Sequence, residues 1–433
     1  MDAVFILVCV ILLAVLSYKG LHILLSSFIS IGLLCLLLQL DPVEAICGTM
    51  MKGTGKFITD YFLMFLLGAV LSELMKITGA TESIATALHK IFGTKYVMIA
   101  LCMLGTLICL GGISMYVAFF ACTPIAISML RKANLPRRLW IGAWTAGTCT
   151  YAMTGPFAPT MQNAVGVKYL GTTLSAGWQI GLIGWLPVAI LILVYEHHSG
   201  VRARKRGETF IPREDDLVFD DVSAANLPHP ILPCIPIALL FVMVNVLGLA
   251  IETGMLVAVV ACVACLWNYL PHGKGKIAAM ISRSFQNSFM AAINPAIIVG
   301  FAAVVTSTPT FASLADTVVA LQWDPFITAA GLAGVAACLS GSCVAGLSVT
   351  FPTCVQMFGN AGINLETLHR VATMGAGTID SLPHCGAIHG YASITKERVR
   401  DVYADVFFNS VICPIIATTI SIIAAYLLGF AYV

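Results

Sequence analysis

The residues of this chain that could do chemistry gather round two proline-containing breaks. The first reads Thr154-Gly-Pro-Phe-Ala-Pro-Thr160, the second Ser381-Leu-Pro-His-Cys-Gly386. Thr145-Ala-Gly-Thr148 precedes the first and Gly375-Ala-Gly-Thr378 the second; a third polar group, Ser340-Gly-Ser342 with Ser348, separates two apolar runs. A helix that restarts after a break aims free N–H groups and a partial positive charge at the gap. With the hydroxyls of Thr148, Thr154, Thr160, Ser340, Ser342, Ser348, Thr378 and Ser381 and the imidazole of His384, such a lining suits a small carboxylate bearing hydroxyl groups. An unperturbed imidazole changes charge near neutrality, so a histidine such as His384 can carry a coupling proton. Asp380 can hold that imidazolium, carry the proton itself or cap the half-helix that follows; capping is the preferred reading. Glu73 and Asp60 are weaker candidates, and isolated Ser26, Ser27 and Ser30 read as packing residues.

Composition says where these groups sit. Of 433 residues, 59% are apolar and only 10% charged, with mean hydropathy +0.94. No soluble fold covers itself with so little polar surface, which excludes a soluble enzyme, a nucleic-acid module and a disordered scaffold. The net charge of +2 points to no polyanionic partner. Of the 15 cysteines, Cys9, Cys35, Cys102, Cys109, Cys262, Cys265 and Cys338 lie in apolar runs, where Cys packs as a small hydrophobe, and Cys262-x-x-Cys265 lacks a second pair at zinc spacing. The run at 3–17 has no basic lead and no small-residue cleavage site, so it reads as a retained first span.

The expected architecture is an all-α polytopic membrane protein of about 12–14 spans. Apolar segments fall near 2–18, 21–39, 57–77, 95–110, 112–130, 139–165, 173–195, 231–250, 252–270, 290–307, 323–339, 343–358, 365–394 and 405–430. The pairs at 95–130 and 323–358 are either paired spans or re-entrant hairpins. Segments near 80–92 and 274–288 read as interfacial amphipathic helices. Basic clusters at Arg131–Arg138, Arg202–Arg206, Lys274–Arg283 and Lys396–Arg400 all fit the cytoplasmic side, leaving both termini outside. The order proline-bearing helix, Gly-rich helix, proline break occurs twice, with Thr148 and Thr378 offset by 230 positions and the copies oppositely oriented. Inverted repeats with facing broken helices are how many secondary transporters build a substrate site. The chain accordingly divides into N-terminal spans (1–56), a first inverted repeat (57–195), a cytoplasmic linker (196–230), connecting spans with an amphipathic helix (231–289) and a second inverted repeat (290–433).

Ser340-Gly-Ser342, Gly346-Leu-Ser348, Gly362-Ile-Asn364, Leu368-His-Arg370 and Gly377-Thr-Ile-Asp-Ser-Leu-Pro-His-Cys-Gly-Ala387 resemble the gluconate permease (GntP) family. The N-terminal half is similar more loosely, through Gly68 to Gly79 and Phe92-Gly93. The resemblance implies a cation-coupled, usually proton-coupled, importer of gluconate or related hydroxy acids in the bacterial inner membrane. It also implies a dimeric carrier in which two hairpins meet at the substrate. Three positions depart from the family: Tyr116 lies in a Ser-Met-Tyr-Val-Ala stretch where an acidic residue is usual, the first break has no His, and Cys385 replaces an Asn. A less hydroxylated substrate or another coupling ion fits these departures.

The reading is therefore a symporter, not an enzyme, that imports a small organic carboxylate by alternating access as a multi-pass homodimer in the bilayer. Protons are the preferred coupling ion over sodium, and neither a cofactor nor a nucleic-acid partner is expected. The alternatives are a sodium-coupled carrier or antiporter on the same scaffold, an intramembrane metalloenzyme using Asp380, His384 and His389, and a passive channel.

Overall fold

A computed structural model describes the chain except residues 1, 111–114, 154, 159, 214–226, 244–246, 248, 271–273, 313–322, 360 and 433. The described residues are helical, with a lone bridge between Ile363 and Tyr432 as the strand-like pairing among them. In α1 (Asp2–Tyr18) and α2 (Ile23–Leu38) almost every residue is apolar, so no amphipathic stripe marks an inner face. Caps set the ends instead: the His22 ring accepts from Leu24 N–H, and Gln39 turns left-handed after α2.

Three helices run further than their apolar stretches suggest. Helix α3 spans Glu44–Ile77, opening with a π-helical stretch, Glu44–Met50, where a start near 57 is expected. The residues Lys52-Gly-Thr-Gly-Lys56 look like a linker but are helical, because α3 lies close against a later helix, α12. A Cβ on Gly53 would sit 2.8 Å from Ala303 Cβ and 3.2 Å from Gly300 Cα, an approach only small residues permit.

Next come α4 (Ala80–Phe92), α5 (Val97–Leu110) and α6 (Met115–Lys132). The amphipathic α4 forms as expected and meets α5 at 119° through Gly93, whose φ of +63° favours glycine. Its inner face packs on α6, where Glu82 pairs with Lys132 at 2.5 Å. Helix α7 (Leu139–Thr145) continues as π-helix over Ala146–Ala152, and after the first break α8 covers Met161–Leu170. Helix α9, Trp178–Lys205, passes its expected end at 195, so Glu196 lies inside it rather than in a linker.

After α10 (Cys234–Phe241) and α11 (Ile251–Cys265), α12 is one 33-residue helix, Lys274–Thr306. The segments expected as an interfacial helix near 274–288 and a separate span are therefore one helix, since no Gly or Pro interrupts residues 277–294. Helices α13 (Pro325–Ser340) and α14 (Cys343–Phe358) form a tight hairpin. Asp324 caps α13 through Phe326 N–H (3.0 Å) and Ile327 N–H (3.1 Å), Gly341 turns at φ +59°, and Ser342 caps α14. Each arm is about 24 Å long at 1.5 Å per residue, short of a hydrocarbon core of roughly 30 Å. Helices α15 (Leu365–Ala376), α16 (Gly386–Thr395) and α17 (Val399–Leu427) complete the chain, α17 containing a π turn at Phe408–Ile412.

By length and composition α3, α9, α17 and residues 277–306 of α12 can cross a bilayer, with the bent α4–α5 pair as a fifth. α3 packs along α12 and α9 along α17; α8 lies on α14 and α15, while α16 lies on α12 and α6. Phe119, Trp140, Trp144 and Tyr391 interlock where α6, α7 and α16 meet, Phe119 stacking on Trp140 at 5.6 Å and meeting Tyr391 at a tilt at 4.5 Å.

Candidate functional site

Residues 377–385 form the second break, and two side chains tie it to the turn of the α13–α14 hairpin. His384 Nε2 lies 2.8 Å from the Cys338 carbonyl near the end of α13. A carbonyl only accepts, so Nε2 carries the hydrogen in the neutral ring, and Nδ1 is a buried acceptor without a partner among the described residues. Asp380 Oδ2 lies 2.7 Å from the thiol of Cys343, the first residue of α14, and Oδ1 accepts from Ser381 Oγ at 2.9 Å. Asp380 is therefore not the helix cap. Cys385 occupies the cap position of α16, five residues on, and the carboxylate instead faces the start of the hairpin's second arm. The two ties bracket Gly341 from opposite sides.

The expected hydroxyls are mostly bonded at home. Thr148 donates to Trp144 O (2.9 Å), Ser340 to Ala336 O (2.7 Å), Ser348 to Val344 O (2.8 Å) and Thr378 to Gly375 O (2.6 Å). Thr160 and Ser342 accept from Asn163 N–H and Ala345 N–H, capping α8 and α14. The four hydroxyls that donate keep lone pairs to accept from a ligand's hydroxyl groups, whereas Thr160 and Ser342, which accept, keep an O–H to donate. Thr148, Ser340, Ser381 and His384 are buried; Thr160, Ser342, Ser348 and Thr378 are half-buried. Thr154 lies outside the described residues.

The two breaks do meet. Met153, at the end of the α7 π-helix, abuts Gly377, and Cys149 and Tyr116 lie within electrostatic reach of Asp380 and Cys385. The strongest link is a residue that reasoning on hydroxyls and histidines passes over. Arg370 of α15 is wholly buried and reaches across to the first half. Its Nε donates to Ala176 O (3.0 Å), Nη2 to Leu174 O (3.1 Å) and Nη1 to Asn163 Oδ1 (3.2 Å) and Gly155 O (3.4 Å). Those partners are all neutral, so a full positive charge sits beside the first break. The signal in the sequence is a lone arginine amid small and apolar residues at 371–378, an expensive placement that marks function by default.

Thr160 caps α8 and Ser348 lies in α14, two helices that pack on each other. Glu73 is paired with Lys76 (3.6 Å) and Arg283 (3.5 Å), and Asp60 with Lys56 (2.8 Å) on the exposed side of α3, so neither is at the breaks. His389 holds the chain through Ser17 Oγ (2.7 Å) and Pro383 O (2.9 Å), and His369 through Thr172 Oγ1 (2.7 Å).

Long apolar helices, a helical hairpin and two facing broken helices define a multi-pass membrane transport protein. The model of the GntP family permeases matches residues 1–382, and the chain belongs to that family, one of transporters rather than enzymes. It is similar to the uncharacterized transporter YxjC of Bacillus subtilis (strain 168), 24% identical across 98% of this chain and 99% of that protein. It is 26% identical to the high-affinity gluconate transporter of Escherichia coli (strain K12) over 39% of this chain and 36% of that one. Its identity to the Gnt-II system L-idonate transporter of the same strain is 30%, over 32% and 31%. The solved structure of Neisseria gonorrhoeae MtrF, titled for a class of antimetabolite efflux pumps, is 15% identical over 92% of this chain and 87% of its own, with a TM-score of 0.38.

Proposed function

We propose that this protein is a symporter of the bacterial inner membrane that imports a small hydroxylated carboxylate, gluconate or a shorter relative, with protons. The observation that carries the reading is the meeting of the two breaks. Arg370 and the α16 N-terminus supply positive charge for the carboxylate, while the lone pairs of Ser340, Thr148 and Thr378 accept from its hydroxyls and the Ser342 O–H donates. His384 protonated on Nδ1 adds a third donor at the second break, so proton binding and anion binding favour each other. The matched stretches of the gluconate and idonate transporters support this substrate class.

Alternating access on this scaffold moves one bundle against another. The exchange of packing, α8 on the hairpin arm α14 and α16 on α6, supports reading residues 57–195 and 290–433 as inverted copies. Counterflow in proteoliposomes with labelled gluconate tests the substrate class, with lactate, glycerate, 3-hydroxybutyrate and dicarboxylates as competitors. Exchange of gluconate or a shorter hydroxy acid is expected; silence across the whole panel from folded protein overturns the reading. Imposed pH and sodium gradients then identify the ion, and sodium dependence at fixed pH overturns proton coupling.

A further inference from the structure

Glu196 of α9 is a buried acid remote in sequence from both breaks, with 1% of its surface exposed. Its Oε1 accepts from Asn409 Nδ2 at 2.6 Å, and its Oε2 has no hydrogen-bond partner among the described residues. Asn409 belongs to the π turn of α17; its side-chain amide also donates to Gly142 O (3.1 Å), and its backbone carbonyl accepts from Thr150 Oγ1 (2.5 Å) in the π-helical continuation of α7. Asn409 Oδ1 and Ser410 Oγ are likewise unpartnered. Three helices thus converge on one carboxyl, two of them through π turns, which are frequent at functional sites. An ionised carboxylate with a bare oxygen is strongly disfavoured there, whereas a proton on Oε2 removes the charge and leaves Oε1 to accept from Asn409.

A polar route leads away from the acid. Asp405 Oδ1 accepts from Tyr195 OH (2.8 Å) and from Ser199 Oγ (3.2 Å), one turn beyond Glu196 on α9. Asp405 Oδ2 accepts from Arg138 (3.3 Å), and Arg138 binds Glu208, beyond the end of α9, through two nitrogens (2.9 and 2.6 Å). The other titratable or charged groups near Glu196 are Arg202 on its own helix, Cys102 on α5, Tyr151 on α7 and Cys413 on α17. Arg202 is turned onto the Tyr195 ring at 4.8 Å rather than bonded to Glu196.

We propose that Glu196 is a proton-binding site of the transport cycle, holding its proton on Oε2 at the α7–α9–α17 junction and releasing it past Ser199 and Asp405 toward the face carrying Arg138 and Glu208. The step breaks one O–H bond and transfers a single proton to Asp405 and on to solvent. It rests on the proton-coupled reading above and adds a second station to the one at His384.

Glu196→Gln keeps the shape and the Asn409 contact but cannot ionise. In proteoliposomes, counterflow at symmetric pH is expected to stay within about twofold of wild type, while pH-driven accumulation, about tenfold per proton for one unit of gradient, disappears. Infrared spectra of the full chain supply a readout independent of transport. A protonated-carboxyl band that fades at alkaline pH, is lost in Glu196→Gln and is kept in Asp380→Asn supports the site even where no panel anion is exchanged. Undiminished pH-driven accumulation in Glu196→Gln, or the absence of that band from wild type, overturns it.

Discussion

The two breaks share a sequence pattern but are held together in opposite ways. The second carries its own ionisable groups, and both reach sideways to the hairpin turn: His384 to the Cys338 carbonyl, Asp380 to the Cys343 thiol. The first has no ionisable side chain of its own. Asn163 Nδ2 closes it by donating to Ala158 O (2.8 Å), and Trp185 Nε1 donates to Tyr151 O (3.2 Å). Its charge is borrowed from Arg370 in the other half. One break is thus fastened to the hairpin through ionisable groups of its own, the other to a fixed cation from the opposite half. On the proton-coupled reading proposed above, that difference gives the site one end that responds to pH and one that does not.

The sharpest way to break the comparison is Arg370→Met. The exchange leaves the carbonyls of Gly155, Leu174 and Ala176 and the Asn163 amide oxygen short of a donor, at roughly 1–3 kcal/mol for each buried group. Loss of folded protein, or a large drop in melting temperature of the purified chain, is expected. A wild-type melting curve would show the first break holding without its borrowed charge. Arg370→Lys should rescue little, since an ammonium cannot reproduce a planar fork with four acceptors.

His384→Gln comes next. Glutamine can keep an N–H on the Cys338 carbonyl yet cannot titrate, so the chain should fold and exchange anion while the pH dependence of uptake is lost. His384→Ala should lose both. An unchanged pH profile in the glutamine variant removes His384 from coupling.

Smaller effects belong to the ties themselves. Cys343→Ala removes the thiol that faces Asp380 and should cost about 1–2 kcal/mol, seen as a modest fall in thermal stability. Ser342→Ala removes the α14 cap for about 1 kcal/mol. Its expected signature is faster hydrogen exchange at the start of α14 with α13 unaffected. Equal exchange throughout the hairpin would mean that Ser342 does not set the turn.

Much of this architecture is legible in the residues. Both breaks, the Ser340–Ser342 turn and the amphipathic α4 announce themselves through Pro, Gly and cap residues, whose physics is local. The lengths of α3, α9 and α12 do not. Gly53 reads as a chain breaker until α12 is known to lie against it, and Glu196 reads as the start of a polar linker until α17 is known to cover it. Asp380 shows the same limit within the site. Its position before Ser-Leu-Pro suggests a cap, but its partner lies 37 positions earlier in the chain, at Cys343. Arg370 is conspicuous as a charge in an apolar setting, yet nothing near it in sequence points to Gly155, Asn163, Leu174 and Ala176 as its acceptors. Contacts between distant segments decide these cases, and local propensity carries none of that information.

The central claim is that the transported anion sits between the two breaks. Its most direct test is alkylation of cysteines placed at Ser342 and Thr160 in a chain whose exposed Cys47 and Cys234 are replaced by Ser. The expected result is that an anion active in counterflow slows labelling at both positions, while an anion that does not exchange protects neither. Full labelling at both positions in the presence of a transported anion would place the substrate elsewhere and contradict the account.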